Sequence, residues 1–173
     1  MKSVNINKFV EKVAQQPSDN ELYNMYFGDE GEPLRENLCN YLKEMVENKP
    51  THLLLGEAAG PDGACRTGIP FTDEQILSLG HRTIGSQTIF TLNYNLPYIT
   101  NGNIISENSA QRVWATITST GNLPLMWNAV PYYPHKKDDY FEIRNPRDDS
   151  EVRKFKSFVI IYPTIEMQTN SMV

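Results

Sequence analysis

Two short apolar runs, each followed by a loop rich in turn-forming residues, constrain the fold of this chain most strongly. The first run, at 52–55, ends at Gly56, and a glycine- and proline-rich stretch follows it as far as Thr72. The second run, at 123–130, leads into the proline-flanked residues 131–135. Such runs are typical of buried strands in α/β sheets. Parallel neighbours would place both loops at one edge of the sheet, where open α/β sheets bind ligands.

Helical spacing of apolar residues predicts the other elements. One helix is expected at 6–14, and a second runs from Pro33 to about Val46. A short helix at 73–79 would be capped by Thr72, and a longer one would begin at Ser106-Glu107 and end at Gly121. A helix at 149–156 and a third strand at 158–161 complete the order, while 87–99 has no clear pattern. The expected fold is a three-layer α/β sandwich with a short, mainly parallel sheet flanked by helices.

Length and composition narrow the class of protein. The 173 residues suit a single domain, expected at 1–163, with a flexible tail at 164–173. A net charge of −5 argues against binding nucleic acid mainly through phosphate charge, although the segment 136–156 is locally basic. No apolar run is long enough for a membrane span and no signal peptide is visible, so a cytoplasmic location is expected. The protein is also expected to be a monomer. Two cysteines and three histidines without ligand spacing predict neither a metal site nor a cofactor.

The two loops carry recognisable motifs. The first reads GEAAGPDGACRTGIPFTDE over 56–74, and the second reads WNAVPYYPH over 127–135, with Arg144-Asn145-Pro146 beyond it. Together they resemble the uracil-DNA glycosylase superfamily, in particular divergent bacterial members with the motifs Gly-Glu-Ala-Pro-Gly, Thr-Gly-Ile-Pro-Phe and Trp-Asn-Ala-Phe-Pro. The resemblance covers roughly 51–147. It implies a glycosylase-like fold and hydrolysis of the N-glycosidic bond of uracil in DNA, without a cofactor.

The resemblance assigns two residues to base binding, and the chemistry supports both. Phe71 would stack on a flipped base, a contact worth roughly 1–3 kcal/mol. Asn128 would accept a hydrogen bond from N3–H of uracil and donate one to O4, a pattern that cytosine reverses. The alternatives are that Phe71 only packs its loop onto the core and that Asn128 only caps a turn.

The resemblance also assigns the first loop to the cleavage step. Glu57 is the only carboxylate in the motif core and would orient water and stabilise the cationic sugar. Backbone N–H groups around Ala58 and Ala59 would stabilise the anionic leaving group. Asp62 is a weaker second carboxylate. The alternative for Glu57 is a solvent-exposed loop residue without a role.

Three departures from the family pattern affect this expectation. Ala59 replaces the usual proline, and Gly60 stands where classical members carry a tyrosine barrier, so the loop gives no basis for inferring exclusion of thymine. The C-terminal His-Pro-Ser motif is absent. His135 is a weak substitute because its setting indicates an exposed turn. The chain is therefore expected to be C-terminally incomplete relative to the family, with weak or lost activity.

Two classes of function remain open from the sequence. The first is an enzyme of the uracil-DNA glycosylase type acting on DNA. The second is a non-catalytic DNA- or base-binding remnant of the same fold. A nucleotide-phosphate site on the first loop is disfavoured, because the loop lacks a Gly-Lys-Ser/Thr ending and carries acidic residues.

Overall fold

The computed structural model describes residues 5–99, 101–137, 139–146 and 152–159. Helices and strands are interspersed along the chain, as expected of a mixed α/β protein. The helices are α1 (Ile6–Ala14), α2 (Glu32–Asn48), α3 (Ala64–Thr67), α4 (Glu74–Ser78), α5 (Asn108–Thr120) and α6 (Lys156–Val159). The strands are β1 (Leu22–Tyr23), β2 (Leu53–Ala58), β3 (Arg82–Ile84), β4 (Gln87–Ile89), β5 (Leu125–Val130), β6 (Tyr133–Lys136) and β7 (Asp139–Ile143).

The centre of the fold is the parallel pair β2–β5. Leu53 lies opposite Leu125, and Gly56 lies opposite Asn128. The two predicted apolar runs are therefore neighbouring parallel strands, and their following loops leave the same edge. One boundary differs from the prediction, because β2 continues through Glu57 to Ala58 instead of ending at Gly56. Ladder pairing with β5 extends the strand into the motif.

Helices flank this small parallel sheet, which confirms the predicted fold class. The α2 helix buries the apolar stripe that its sequence predicts, and it begins with a proline in its first turn. Tyr41 joins α2 to β5 through its hydroxyl, which donates to the Met126 carbonyl at 3.2 Å and accepts from the Met126 N–H at 2.7 Å. The predicted bounds of α1 are confirmed, as is the end of α5 at Gly121.

The start of α4 differs from the prediction by one residue. Asp73, and not Thr72, is the N-cap, and its carboxylate accepts from the Ile76 N–H at 2.7 Å. Glu74 follows in the first turn, where a carboxylate interacts favourably with the helix dipole.

Two antiparallel hairpins lie outside the predicted elements. The β3–β4 hairpin occupies 82–89, and β6–β7 joins β1 in a three-stranded sheet. The expectation that His135 lies in an exposed turn is wrong. It belongs to β6 and is 7% exposed, and its ring packs against Tyr133 and Tyr140. Pairing on both sides of β6 buries a segment whose Pro and Lys residues suggest a turn.

The strand predicted at 158–161 is wrong for its first two residues, which belong to α6. Phe158 is buried and packs against Phe9 and Phe155, with ring centroids 5.9 and 6.3 Å apart. A four-residue apolar run does not distinguish a strand from a buried helical segment. Within the helix predicted at 149–156, residues 152–154 are helical. Residues 149–151, 160–161 and the tail at 164–173 lie outside the described residues.

Candidate active site

Gly56 is the point at which the two motif loops meet. A Cβ atom at this position would lie 2.6 Å from Cζ of Phe71 and would overlap Oδ1 of Asn128. Only a residue without a side chain leaves room for both groups. The ring from the first loop and the carboxamide from β5 therefore lie side by side over the backbone of β2, as the parallel topology predicts.

Phe71 is held in this position by its backbone. Its φ of 53° lies in the left-handed region, which costs a non-glycine residue on the order of 1–3 kcal/mol. Nε1 of Trp114, on α5, donates to the Phe71 carbonyl at 3.0 Å. Trp114 is buried, so the loop conformation is tied to the core of the protein. The ring itself is half-buried, so part of its surface remains accessible.

A cavity of about 190 Å³ opens between the two loops and the start of α5. Its walls combine small residues, one aromatic ring and a few polar groups. It is lined by Ala58, Gly60, Ala64, Phe71, Glu107, Ser109, Asn128 and Ile143. A concave site with few convergent polar groups is the usual form of a small-molecule pocket.

Asn128 is the most deeply buried polar side chain of this cavity, at 4% exposure. Within the described ranges, its carboxamide forms no hydrogen bond to another protein group. Neither polar atom of the carboxamide is fully enclosed, so both remain open to the cavity, and a polar side chain of this kind at a cavity wall is typical of a ligand contact.

Glu107 also lines the cavity, and the sequence interpretation assigns it only to the start of a helix. Burial raises the pKa of its carboxyl group, and the nearby Asp73 and Asp62 raise it further, while a hydrogen bond from Ser109 lowers it. A raised pKa in a cleft is a common property of functional carboxylates. The sequence feature that could have indicated this placement of Glu107 is the pair of motif glycines, Gly60 and Gly63. A glycine leaves space that another side chain can fill.

The residues predicted to support cleavage are more scattered. Ala58 lines the cavity, whereas Ala59 is buried and its N–H donates to the Tyr132 carbonyl at 3.3 Å. Glu57 is exposed near the end of β2 and is not among the residues that line the cavity. Asp62 is exposed near Glu107.

His135 is also absent from the cavity lining, and its Nδ1 lies 3.0 Å from the Lys136 carbonyl. The structure therefore brings together Ala58, Phe71 and Asn128, while Glu57, Ala59, Asp62 and His135 do not line the same cavity.

The two largest of the other hollows contain none of the motif residues. One, of about 490 Å³, is a mainly apolar groove between β2 and α5. The other, of about 700 Å³, lies between α1, α2 and the segment at 93–95. Neither combines a buried unpaired amide with an accessible aromatic ring, so volume alone does not identify the site.

Two further features are absent from the part of the chain that the structure describes. No three His, Cys, Asp or Glu side chains of the described residues form a group that could hold a metal ion. Among those residues, no helix is both long and apolar enough to cross a membrane.

Comparison with solved structures defines the fold class. The crystal structure of wild-type SMUG2 from Pedobacter heparinus aligns with 95% of this chain and 70% of that one, with a TM-score of 0.54 and 18% identity. At this identity the likeness establishes the fold alone. The mixed α/β architecture, with its small parallel sheet flanked by helices, is consistent with a uracil-DNA glycosylase-like fold. No family model and no curated protein matches the sequence.

Proposed function

We propose that this protein binds a pyrimidine flipped out of DNA and hydrolyses the N-glycosidic bond of uracil, as in base excision repair. One observation carries the proposal: Phe71 and Asn128 converge over Gly56 and line the same cavity. The glycosylase-like fold supports it. The partner would be uracil-containing DNA, and the protein would act as a cytoplasmic monomer.

Stacking on Phe71 would offset part of the cost of base flipping. Extruding a base from a duplex costs a few kcal/mol, and stacking on an aromatic ring returns about 1–3 kcal/mol. The half-buried ring leaves a face available for this contact. A single-stranded substrate needs no unpairing and is therefore the most sensitive probe.

Asn128 would select uracil over cytosine. Its Oδ1 would accept from N3–H and its amide would donate to O4, so that a buried unpaired group gains two hydrogen bonds. Cytosine has a hydrogen-bond acceptor where uracil has a donor on this edge, and a donor where uracil has an acceptor. It would leave two buried polar groups unpaired, each at a cost of about 1–3 kcal/mol. This difference is large enough to determine specificity.

Cleavage would break the bond between C1′ and N1 while a water oxygen adds to C1′. The departing uracil carries negative charge, which the N–H groups around Ala58 would stabilise. Glu57 would orient the water and accept its proton, with Asp62 as a weaker second carboxylate. The N–H of Ala59 would have to release its bond to the Tyr132 carbonyl to take part.

A second candidate function is base or DNA binding without catalysis. The exposure of Glu57, outside the cavity lining, favours this alternative, because the carboxylate assigned to the chemistry does not reach the pocket in this conformation. Such a protein would keep the contacts of Phe71 and Asn128 and lose turnover.

The test is excision from a single-stranded oligonucleotide containing one uracil, at low salt, where electrostatic affinity is greatest. Abasic sites are detected by alkaline strand cleavage. Asn128→Ala should reduce excision about 100-fold or more, since it removes two buried hydrogen bonds. Asn122→Ala removes an exposed asparagine at the opposite end of β5 and is the matched control.

The outcomes separate the two functions. Loss of excision in Asn128→Ala and Glu57→Ala, with activity retained in the control, supports the enzyme. Binding of uracil-containing DNA without turnover by the native protein supports the binding module. Normal excision by the double variant Glu57→Ala/Asn128→Ala contradicts the site assignment.

A further inference from the structure

Glu107 lines the pocket, although its position at the start of α5 would lead one to expect a capping role. It is the N-cap residue of α5, yet its side chain makes no capping hydrogen bond. Asp73 contacts the start of α5 instead, because its Oδ2 accepts from the Glu107 N–H at 2.8 Å and from Nε2 of Gln111 at 2.7 Å. The side chain of Glu107 is thus available for another use.

Two glycines of the first loop form the surface behind this carboxylate. A Cβ atom at Gly60 would overlap Oε1 of Glu107, and one at Gly63 would overlap Oε2 and lie 2.9 Å from Cδ. The carboxylate therefore lies directly against backbone. The carboxylate of Glu107 cannot move away from the cavity unless the first loop also moves.

The charged groups around Glu107 are acidic. Asp73 faces it from the start of α4 and Asp62 from the first loop. Burial raises the pKa of the nearby Cys65 thiol, and the charges of Glu107 and Asp62 raise it further. No lysine or arginine among the described residues forms an ion pair with it, and Ser109 donates a hydrogen bond to it. The cavity wall at Glu107 is therefore rich in acceptors and poor in donors.

The chemistry of uracil decides which edge of the base this wall can meet. O2 and O4 are both acceptors, and a carboxylate beside either would repel the negative charge that grows on them during cleavage. Asn128 takes N3–H and O4, and N1 points to the sugar. The C5–C6 edge, with its weakly positive C–H groups, is the part of the ring compatible with Glu107.

We infer that Glu107 determines specificity at C5 of the bound pyrimidine, admitting hydrogen or a hydrogen-bond donor there and rejecting a methyl group. This inference rests on the proposed function and extends it to the distinction between uracil and thymine. A methyl group would press on a carboxylate backed by glycine, and it offers no hydrogen bond. A hydroxyl group of similar size would donate to the carboxylate and could approach more closely.

The test measures binding, so that it does not depend on turnover. Single-stranded oligonucleotides carry one 2′-fluoro nucleotide, which resists cleavage, with uracil, thymine or 5-hydroxyuracil as the base. The native protein should bind the thymine probe about tenfold or more weakly than the uracil probe, because hydrophobic-pocket discrimination of one methyl group reaches this range. The 5-hydroxyuracil probe should bind more tightly than the thymine probe.

Substitutions then locate the effect. Glu107→Ala should raise affinity for the thymine probe about tenfold, the size of the discrimination it removes. Gly60 has no positive φ, so Gly60→Ala is free of backbone strain, but its methyl group should push the carboxylate into the cavity and weaken uracil binding. Gly60→Ala/Glu107→Ala should recover that uracil binding. Glu47→Ala, on the exposed face of α2, is the control, and thermal melts verify folding.

Each outcome is decisive. If Glu107→Ala binds the thymine probe no better, or loses uracil binding instead, the specificity role is wrong. If the native protein binds uracil and thymine equally, the inference fails while the proposed function stands. If it binds none of the probes, the proposed function fails, and this inference fails with it.

Discussion

Glu44 and Glu107 are both largely buried carboxylates, but their surroundings differ. Glu44, on α2, accepts five hydrogen bonds, from the N–H groups of Phe90, Thr91 and Leu92 and from the hydroxyls of Thr91 and Tyr94. Glu107 has a hydrogen bond from Ser109, acidic neighbours, and glycines behind it.

The difference in hydrogen-bond partners indicates different roles: those of Glu44 are typical of a structural residue, and those of Glu107 of a residue in a binding site. A buried charge surrounded by donors fixes the segment that supplies them, so Glu44 holds the chain at 90–94 against α2. Burial and the hydrogen bond to Glu44 also raise the pKa of Tyr94, which remains protonated and keeps donating. A carboxylate with little compensation is costly to keep, and such a cost is typical of a binding site.

The largest expected effect is at Glu44. Glu44→Gln places an NH₂ group among backbone donors and leaves several buried groups unpaired, which should lower the free energy of unfolding by about 3–5 kcal/mol. Urea denaturation measures this loss. Glu47→Gln, an exposed position on the same helix, should change stability little. A loss below 1 kcal/mol for Glu44→Gln would remove the contrast between the two carboxylates.

Gly56→Ala should have the next largest effect, because it damages the pocket itself. The added methyl group meets Phe71 and Asn128, and overpacking of this kind costs about 1–3 kcal/mol. Binding of a uracil-containing oligonucleotide should fall more steeply than stability, since both groups proposed to contact the base are displaced. The comparison is Gly102→Ala, which adds a methyl group in open space at a φ of 75° and so introduces backbone strain without a clash; it should leave binding unchanged. Unaltered binding by Gly56→Ala would argue against the pocket.

Glu107→Gln should have the smallest effect, and of opposite sign. Its folded-state pKa is raised, so the ionised form destabilises the fold above that pKa, whereas below the unfolded-state pKa the residue is neutral in both states. The variant should therefore melt higher at neutral pH, by about 2–4 °C for each kcal/mol gained. This gain should shrink as the pH falls below the raised pKa and vanish below the unfolded-state pKa. A constant gain at all pH values would exclude ionisation as the cause.

The sequence predicts what depends on local pattern. The apolar faces of α1, α2 and α5 are predicted by the helical spacing of their apolar residues. The parallel pairing of β2 with β5 is predicted by two apolar runs with a helix between them. Because the strand ends define one edge, the proximity of Phe71 and Asn128 was predictable too.

The remainder depends on tertiary contacts. The β6–β7 hairpin contains proline and charged residues and gains its pairing only from β1 and its own partner strand. Glu107 lies at a helix start in the sequence, and only the fold brings Gly60 and Gly63 against it. The five donors to Glu44 come from a segment without a recognisable pattern.

The hydrogen bond from Trp114 to the carbonyl of Phe71 gives this protein an intrinsic optical reporter. Indole emission responds to changes in polarity and in nearby dipoles, and here the fluorophore is bonded to the residue on which a base would stack. Titration with unlabelled oligonucleotides can therefore follow occupancy directly, without a dye that would itself compete for the aromatic surface.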